Sequence, residues 1–262
     1  MISFMGLLLI GGMCLAFFMM FVVWIISLII KNAGVVDVAW GLGFVILAAF
    51  YSVLPLGDIF RKAAMVLMVA LWGLRLSWSI LRRLLHEQKE DRRYQALRES
   101  WKIHLPLKFF FFFEFQAFLQ LLLSIPFLLI CLNERAGISV LEIIGIAIWL
   151  TAFIGEVISD EQLRQFKINP QNKGKTCQVG LWYYSRHPNY FFEWMIWVGY
   201  FIFALSSPYG WVSIISPIIM LHFLLNVSGV PLAEAQSLKS RGEEYREYQR
   251  TTSVFVPLPK RK

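Results

Sequence analysis

The chain has 262 residues, of which 58% are hydrophobic and only 16% are charged. A soluble domain carries about 25% charged residues and about 45–50% apolar ones, so this composition excludes an ordinary soluble protein. The formal charge of +8 raises the question of a nucleic-acid partner, and the distribution of the basic residues along the chain bears directly on it.

Seven segments are apolar enough and long enough to cross a bilayer, which takes roughly 20 residues per helix. They predict an all-α fold, a polytopic membrane bundle that forms one integral domain over residues 1–262. The first segment is interpreted as a retained span, because it lacks the basic start of a signal peptide and is too long for one. In chain order the predicted spans are 3–30, 34–54, 63–83, 107–132, 139–159, 189–206 and 210–228, followed by a tail at 229–262.

The basic residues fall almost entirely on one side of this arrangement. Of the 25 Lys and Arg residues, 21 lie at Lys31, in the connections 82–108 and 160–188, and in the tail. The positive-inside rule therefore predicts an external N-terminus and a cytoplasmic C-terminus. This topology also explains the net charge, so no nucleic-acid partner is expected. The three basic residues on the opposite side are Arg61, Lys62 and Arg135.

Cofactor classes with a recognisable sequence signature are not indicated. Cys14, Cys131 and Cys177 lack the spacing of a metal site or of a disulfide framework. The chain also lacks the G-x-G-x-x-G pattern of a Rossmann domain. A nicotinamide cofactor would therefore be held by side chains and helix ends.

Charged side chains inside the predicted spans are functional candidates, because each costs at least about 2.5–3.5 kcal/mol to insert at the bilayer centre. Asp37 begins the second span, and Trp40 lies about one turn further along the same helix face. The structural alternative is that Asp37 caps a helix start while Trp40 lies in the interfacial aromatic belt. Glu114 and Gln116 are the corresponding polar residues in the fourth span.

Three segments on the predicted cytoplasmic side are rich in functional side chains. In the first, 86–101, the sequence E-D-R-R-Y ends at Tyr94. Such a charge run is typical of a solvated surface that lies against anionic lipid headgroups.

The second segment, 155–170, continues the fifth span into water. Glu156, Asp160, Arg164 and Lys167 follow one stripe of a helix, with acids before bases as the helix dipole favours. Salt bridges along the helix would explain this stripe structurally. Alternatively, Asp160 can accept hydrogen bonds from a ribose or amide while the two cations bind phosphate.

The third segment leads into the sixth span as Y-Y-S-R-H-P-N-Y-F-F-E-W. Pro188 is favourable at a helix start, and the amide groups there can bind an anion. Arg186 and His187 would strengthen such a site. Asn189 and Glu193, one turn apart, can hydrogen-bond a carboxamide or a ribose, so this cluster is interpreted as functional.

These motifs together resemble those of a known family. G-L-W-Y-Y-S-R-H-P-N-Y-x-x-E-W, followed by Glu234, Gly242, Tyr245, Tyr248 and Thr251, resembles bacterial steroid 5-alpha-reductase-like membrane proteins, the DUF1295 group. D-V-A-W-G, L-R-L-S-W, E-D-R-R-Y and Gln116 match the same family. The sterol reductases and isoprenylcysteine carboxyl methyltransferases are related to it, and the methyltransferases carry a motif nearly identical to R-H-P-N-Y.

The resemblance implies a seven-helix enzyme that holds NADPH in a cavity covered by cytoplasmic loops. The expected cofactor-binding residues are Arg92, Glu156, Asp160, Arg164, Lys167, Lys175, Tyr184, Arg186, His187, Asn189, Glu193, Glu234, Tyr245 and Tyr248. The expected substrate-binding residues are Asp37, Trp40, Trp72, Glu114 and Gln116. The expected catalytic residues are Asp37, Tyr94 and Glu193, with Asp37 replacing the substrate-polarising glutamate of the animal enzymes and Trp72 standing at the position of their tyrosine.

Three functions remain open at the level of sequence. The first is an NADPH-dependent reductase of the C4=C5 bond of a 3-oxo-Δ4 steroid or a similar enone lipid, acting as a monomer among membrane lipids. The second is an S-adenosylmethionine-dependent methyltransferase of a membrane-embedded substrate. The third is a transporter or lipid-binding scaffold, which the loop location of most polar residues disfavours. The many cations favour NADPH, because S-adenosylmethionine carries no phosphate.

Overall fold

The computed structural model describes residues 2–53, 55–87 and 90–261. Within those residues the regular structure is helical, apart from one isolated bridge between Ser185 and Ser253. The predicted all-α fold is therefore confirmed. The helices are α1 (Ile2–Ile30), α2 (Val35–Ser52), α3 (Ile59–Glu87), α4 (Arg92–Trp101), α5 (Leu105–Leu123), α6 (Ile125–Cys131), α7 (Val140–Ile168), α8 (Pro188–Ala204), α9 (Ile215–His222), α10 (Val230–Arg241) and α11 (Glu243–Thr251).

The long helices are those of a multi-pass membrane protein. Among the described residues, six are long and apolar enough to cross a bilayer. Helix α8, the predicted sixth span, has 17 residues, which is at the lower limit of about 17–25 residues for a spanning helix. The six segments are Met5–Ile30, Val35–Ser52, Ile59–His86, Leu105–Leu123, Val140–Ile168 and Gly210–Arg241.

Two element boundaries differ from the sequence prediction. The predicted span 107–132 is interrupted at Ser124, where α5 ends and α6 begins. Pro126 lies in the first turn of α6, where its missing N–H costs nothing, whereas inside one continuous helix it would break a hydrogen bond. Helix α7 runs on to Ile168, nine residues beyond the predicted end of its span at 159.

The chain divides into two compact units. Unit 1 comprises Met1–Ile138 with Ala204–Ser213, and unit 2 comprises Ser139–Phe203 with Ile214–Lys262. The sequence prediction of a single integral domain stays a prediction.

In unit 1, helices α2 and α3 pack closely because glycines face each other. A methyl group on Gly73 would lie 2.8 Å from the carbonyl oxygen of Gly41, so neither position has room for a side chain. Ser77 of α3 donates a hydrogen bond to the Val38 carbonyl at 2.9 Å. Gln120 of α5 donates to the Trp40 carbonyl at 2.8 Å. Together these contacts fix the helix that carries Asp37.

In unit 2, α7 begins with a capping box. The Ser139 hydroxyl accepts from the Glu142 amide, while the Glu142 carboxylate accepts from the Ser139 amide at 2.6 Å. Further along, a methyl group on Gly199 of α8 would lie 2.8 Å from the Trp149 side chain. The close contact of α7 with α8 therefore depends on glycine, as at the helix crossing in unit 1.

The predicted orientation can be tested directly. Reporter proteins fused after the C-terminal residue and within the 82–108 connection should both give a cytoplasmic signal. The reason is the 21 to 3 distribution of basic residues between the two sides. An external signal from either fusion would contradict this orientation. The segments predicted to bind a cytoplasmic cofactor would then not face the cytoplasm.

Candidate functional site

The first polar cluster surrounds Asp37, at the start of α2. One Asp37 carboxylate oxygen accepts the Tyr94 hydroxyl at 2.7 Å, and the other accepts the Arg93 guanidinium at 2.7 Å. Arg93 also donates to Asp91 at 3.0 Å, and Asp91 accepts the amide of Arg93 as the N-cap of α4. We call Asp37, Asp91, Arg93 and Tyr94 the Asp37 cluster. It joins two sequence motifs that lie more than 50 residues apart.

The remaining acid of E-D-R-R-Y fastens α4 to the turn before α2. Glu90 accepts the backbone amide of Ala33 at 2.7 Å and the Arg98 guanidinium at 2.6 Å. Arg98 lies over the Phe109 ring of α5, 4.9 Å from its centre. This charge run is therefore engaged with α2 and α5 through Glu90, Arg93 and Tyr94, while Arg92 points outward and is exposed.

The electrostatics of the Asp37 cluster keep Tyr94 neutral. Burial raises the pKa of Tyr94 well above its ordinary value, and the negative charge of Asp37 raises it further. Burial alone would raise the pKa of Asp91, but hydrogen bonds from Arg93 outweigh that effect and lower it. The cluster thus places a neutral phenol beside a carboxylate whose side chain is 19% exposed.

The other predicted substrate-binding residues also lie in unit 1. Trp72 is fully buried against Phe44, whose ring also contacts Trp40. Gln116 is half-buried on α5. Glu114, on the same helix, has one buried carboxylate oxygen with no hydrogen-bond partner among the described residues. A bound molecule with a donor group would satisfy that oxygen.

The second polar cluster is centred on Glu234 of α10, in unit 2. Glu234 accepts the Arg186 guanidinium at 2.6 Å, lies 3.3 Å from the His187 ring nitrogen and accepts the Gln249 amide at 2.8 Å. Arg186 also donates to the carbonyls of Gln249 and Thr252 at 2.8 and 2.9 Å. We call Arg186, His187, Glu234 and Gln249 the Glu234 cluster. It ties the segment before α8 to α10 and α11.

The predicted tyrosines have different surroundings. Tyr248 is buried and donates its hydroxyl hydrogen bonds to the carbonyls of Trp182 and Ser185. Tyr245 is buried beside it, and burial raises its pKa to about 12. Tyr184, in contrast, is exposed: its ring contacts Tyr183, and its carbonyl accepts the amide of Leu258. Two of these three residues therefore hold unit 2 together.

A third group lies where α7 and the start of α8 approach each other. The Asn189 amide donates to Asp160 at 3.3 Å. The Asn189 oxygen is buried and has no hydrogen-bond partner among the described residues. One turn later, Glu193 accepts the Trp197 indole at 3.1 Å. Glu156, a further predicted cofactor-binding residue, is buried on α7.

Three of the predicted phosphate-binding cations are exposed residues of unit 2. Arg164 forms an exposed ion pair with Glu161 at 2.6 Å rather than with Asp160. Lys167 and Lys175 are exposed. Burial raises the pKa of Cys177, and the nearby charges of Lys167 and Arg241 partly oppose this. Lys167 of α7 and Arg241 of α10 therefore both approach the same loop.

Comparison with known proteins assigns the family. The model of a family described as "Protein of unknown function (DUF1295)" matches residues 23–252. The chain belongs to the DUF1295 family. An uncharacterized protein of Schizosaccharomyces pombe is 26% identical over 228 residues, which cover 75% of this chain and 64% of the yeast protein. No solved structure matches the chain.

The DUF1295 part of the sequence resemblance is thus confirmed, while its steroid-reductase part stays a prediction. Within this DUF1295 protein, several residues that carry contacts were outside the predicted sets, among them Glu90, Arg93 and Gln120. Arg93 and Glu90 flank predicted residues in E-D-R-R-Y. Gln120 lies one helical turn after Gln116, so the same buried face of α5 could have indicated it.

Proposed function

We propose that this protein is an NADPH-dependent reductase that reduces the C=C bond of an enone lipid, such as the C4=C5 bond of a 3-oxo-Δ4 steroid. The proposed location is the bacterial cytoplasmic membrane, with the substrate drawn from the bilayer. The observation that carries the proposal is the hydrogen bond between the neutral Tyr94 phenol and Asp37. Tyr94 is buried although its segment is highly charged, and Asp37 lies in the first turn of an apolar helix.

Reduction of an enone needs a donor at the carbonyl oxygen, because negative charge develops there when hydride adds to the β-carbon. Tyr94 can rotate its O–H from Asp37 to such an oxygen and stabilise the enolate. Arg93 holds the Asp37 side chain in place through an ion pair at 2.7 Å. The α-carbon then takes a proton from water or from Tyr94, whose proton is replaced through the partly exposed Asp37. One hydride and one proton thus convert C=C into CH–CH.

NADPH, when bound, supplies the hydride. Asn189 is the best-supported residue of this chain to bind the carboxamide or a ribose hydroxyl of NADPH. The buried side-chain oxygen of Asn189 has no hydrogen-bond donor among the described residues. Leaving such an acceptor without a partner costs about 1–3 kcal/mol, which a ligand donor would recover. Asp160, which accepts the Asn189 amide at 3.3 Å, and Glu193, one turn further along α8, add two further acceptors. Lys167 and Lys175 of the same unit are exposed and are proposed to bind phosphates.

One observation favours the methyltransferase alternative. Arg186 is paired with Glu234, and Arg164 with Glu161, so two of the cations that favoured NADPH already have acidic partners. Binding measurements on the purified protein separate the two functions. NADPH is expected to raise the melting temperature and to co-purify in mild detergent, as detected by mass spectrometry. Stabilisation by S-adenosylmethionine without stabilisation by NADPH would favour methyl transfer.

The cofactor preference gives a second prediction. NADPH should bind more tightly than NADH, and Lys167→Ala should reduce this preference about tenfold or more, because a charge-assisted hydrogen bond contributes about 1.5–3 kcal/mol. Isothermal titration with both cofactors measures the ratio. Lys239→Ala, an exposed lysine of α10 in the same unit, is the matched control and should leave it unchanged. Equal affinities in the unmodified protein would contradict the proposal.

A further inference from the structure

Unit 2 carries an apolar patch on a part of its surface that is outside the long helices. The segment 253–258 lies beside 184–186: the amide of Arg186 donates to the Ser253 carbonyl at 2.8 Å, and that of Leu258 to the Tyr184 carbonyl at 3.0 Å. Phe255 is buried between exposed neighbours. We call the outward-facing residues, each between 38% and 50% exposed, the tail patch: Val179, Tyr183, Tyr184, Val254, Val256 and Leu258.

Within its own segments the tail patch is accompanied only by positive charge, although Glu244 of α11 accepts the amide of Thr176 and Glu234 of α10 pairs with Arg186. The segments 168–187 and 252–261, which contain it, have no Asp or Glu residue. Lys260 lies over the Tyr183 ring, 4.6 Å from its centre, and donates to Gln178 at 2.6 Å. The other cations of these segments are Lys173, Lys175, Arg186 and Arg261.

The neighbouring surface of the same unit is of the opposite kind. Helix α11 buries Tyr245 and Tyr248, and its outward face consists of exposed charges of both signs, joined by ion pairs such as that of Arg246 with Glu243. That face suits water. The exposed valine, leucine and tyrosine residues of the tail patch, with cations beside them, suit the headgroup interface of an anionic bilayer. At that interface apolar side chains insert while Lys and Arg bind the lipid phosphates.

We propose that the tail patch lies in the headgroup layer of the predicted cytoplasmic leaflet and binds anionic phospholipid there. Val254, Val256 and Leu258 contact the outer part of the acyl chains. Tyr183 and Tyr184 occupy the interface, where tyrosine rings are enriched in membrane proteins. Lys260 and Arg261 face the phosphates. This contact would fasten the segment that carries Arg186 and His187 to the membrane surface, and it does not depend on the proposed reaction.

Photo-crosslinking from single positions tests the proposal. Benzoylphenylalanine at Val256 in the full-length protein, in nanodiscs of phosphatidylglycerol and phosphatidylcholine, should give a lipid adduct by mass spectrometry. The same residue at Glu247, on the charged face of α11, is the matched control and should give at least roughly fivefold less adduct. Arg261→Glu should lower the yield at 256 at least about twofold in anionic discs, whereas Arg246→Glu should not.

Equal lipid adducts at 247 and 256 would overturn the proposal, as would a crosslink from 256 to a second copy of the chain or to another protein. A measurement on the unmodified chain guards against altered folding of the variants. Hydroxyl-radical footprinting in the same nanodiscs should leave Tyr183 and Tyr184 weakly labelled, although they are 44% and 45% exposed in the protein alone. Strong labelling of both rings would place the tail patch in water and overturn the proposal.

Discussion

Tyr94→Phe is expected to lower the rate of enone reduction by about 10²–10³, the usual effect of removing one hydrogen-bond donor to a developing oxyanion. The substitution keeps the ring, its burial and its edge-to-face contact with Phe112. It removes only the hydroxyl that Asp37 accepts at 2.7 Å. Single-turnover oxidation of NADPH in the presence of a 3-oxo-Δ4 steroid measures the effect.

The structural alternative is that this hydroxyl only holds α4 on α2. Its loss would then cost about 0.5–1.5 kcal/mol of stability, the value of one hydrogen bond, and would not change turnover. Tyr51→Phe is the matched control, because Tyr51 is a buried tyrosine of the same unit whose hydroxyl lies 3.3 Å from that of Ser124. It should lower the melting temperature similarly and leave the rate unchanged. Undiminished turnover in Tyr94→Phe would remove Tyr94 from the mechanism.

The pH profile offers an independent check. Burial, with a further contribution from Asp37, raises the pKa of Tyr94 well above its ordinary value of 10.0. The neutral phenol is the donor, so its contribution to the rate should persist as pH rises through 10 and be lost only above the raised pKa. The raised pKa of Tyr94 also contributes to the free energy of unfolding. That contribution is fully present below the pKa of tyrosine in the unfolded chain and is lost as pH rises through the higher pKa of the folded protein. A loss of donor activity between pH 7 and 9 in the unmodified protein, absent from Tyr94→Phe, would contradict this assignment.

The helices were predictable because the bilayer limits the choice of structure. A spanning segment must satisfy its own backbone hydrogen bonds, so long apolar runs indicate helices and little else. The interruption at Ser124 was not predicted, although Pro126 signals it, because hydropathy is continuous across both helices. The extension of α7 to Ile168 was predicted from the helical spacing of its charged residues and not from hydropathy, since polar helical turns outside the membrane carry no apolar signal.

The candidate site was predictable in composition but not in pairing. Spacing along one helix relates Asn189 to Glu193, and both lie on α8. No periodicity relates Asp37 to Tyr94, since their contact depends on how α4 folds back on α2. Which of Arg92 and Arg93 reaches Asp37 also depends on that fold. Because Tyr94 is buried, Arg93 lies beside Asp37, whereas Arg92 faces outward and is exposed. Such contacts follow from tertiary structure, which a single sequence does not specify locally.

Glu193→Gln is expected to slow hydride transfer by about 10², because a misplacement of about 1 Å at a reacting centre has an effect of that size. The proposed role of Glu193 is to accept a hydrogen bond from the NH2 group of the nicotinamide carboxamide, while Asn189 hydrogen-bonds the other polar group of that carboxamide. Glutamine keeps one carbonyl oxygen that the Trp197 indole can still reach, as it reaches Glu193 at 3.1 Å. The change therefore removes the charge and one acceptor while preserving the local packing.

The competing interpretation is that Glu193 serves only to hold Trp197, which is fully buried. Trp197→Phe separates the two, because it removes the indole donor and leaves the carboxylate in place. If the role of Glu193 is structural, both variants lose thermal stability, and their folded fractions reduce enones at the unmodified rate. If Glu193 orients the cofactor, Glu193→Gln keeps its melting temperature and loses turnover, while Trp197→Phe loses stability and retains turnover per folded molecule. A stable Glu193→Gln protein with undiminished single-turnover NADPH oxidation would exclude both roles, and the assignment of the nicotinamide site would then rest on Asn189 and Asp160.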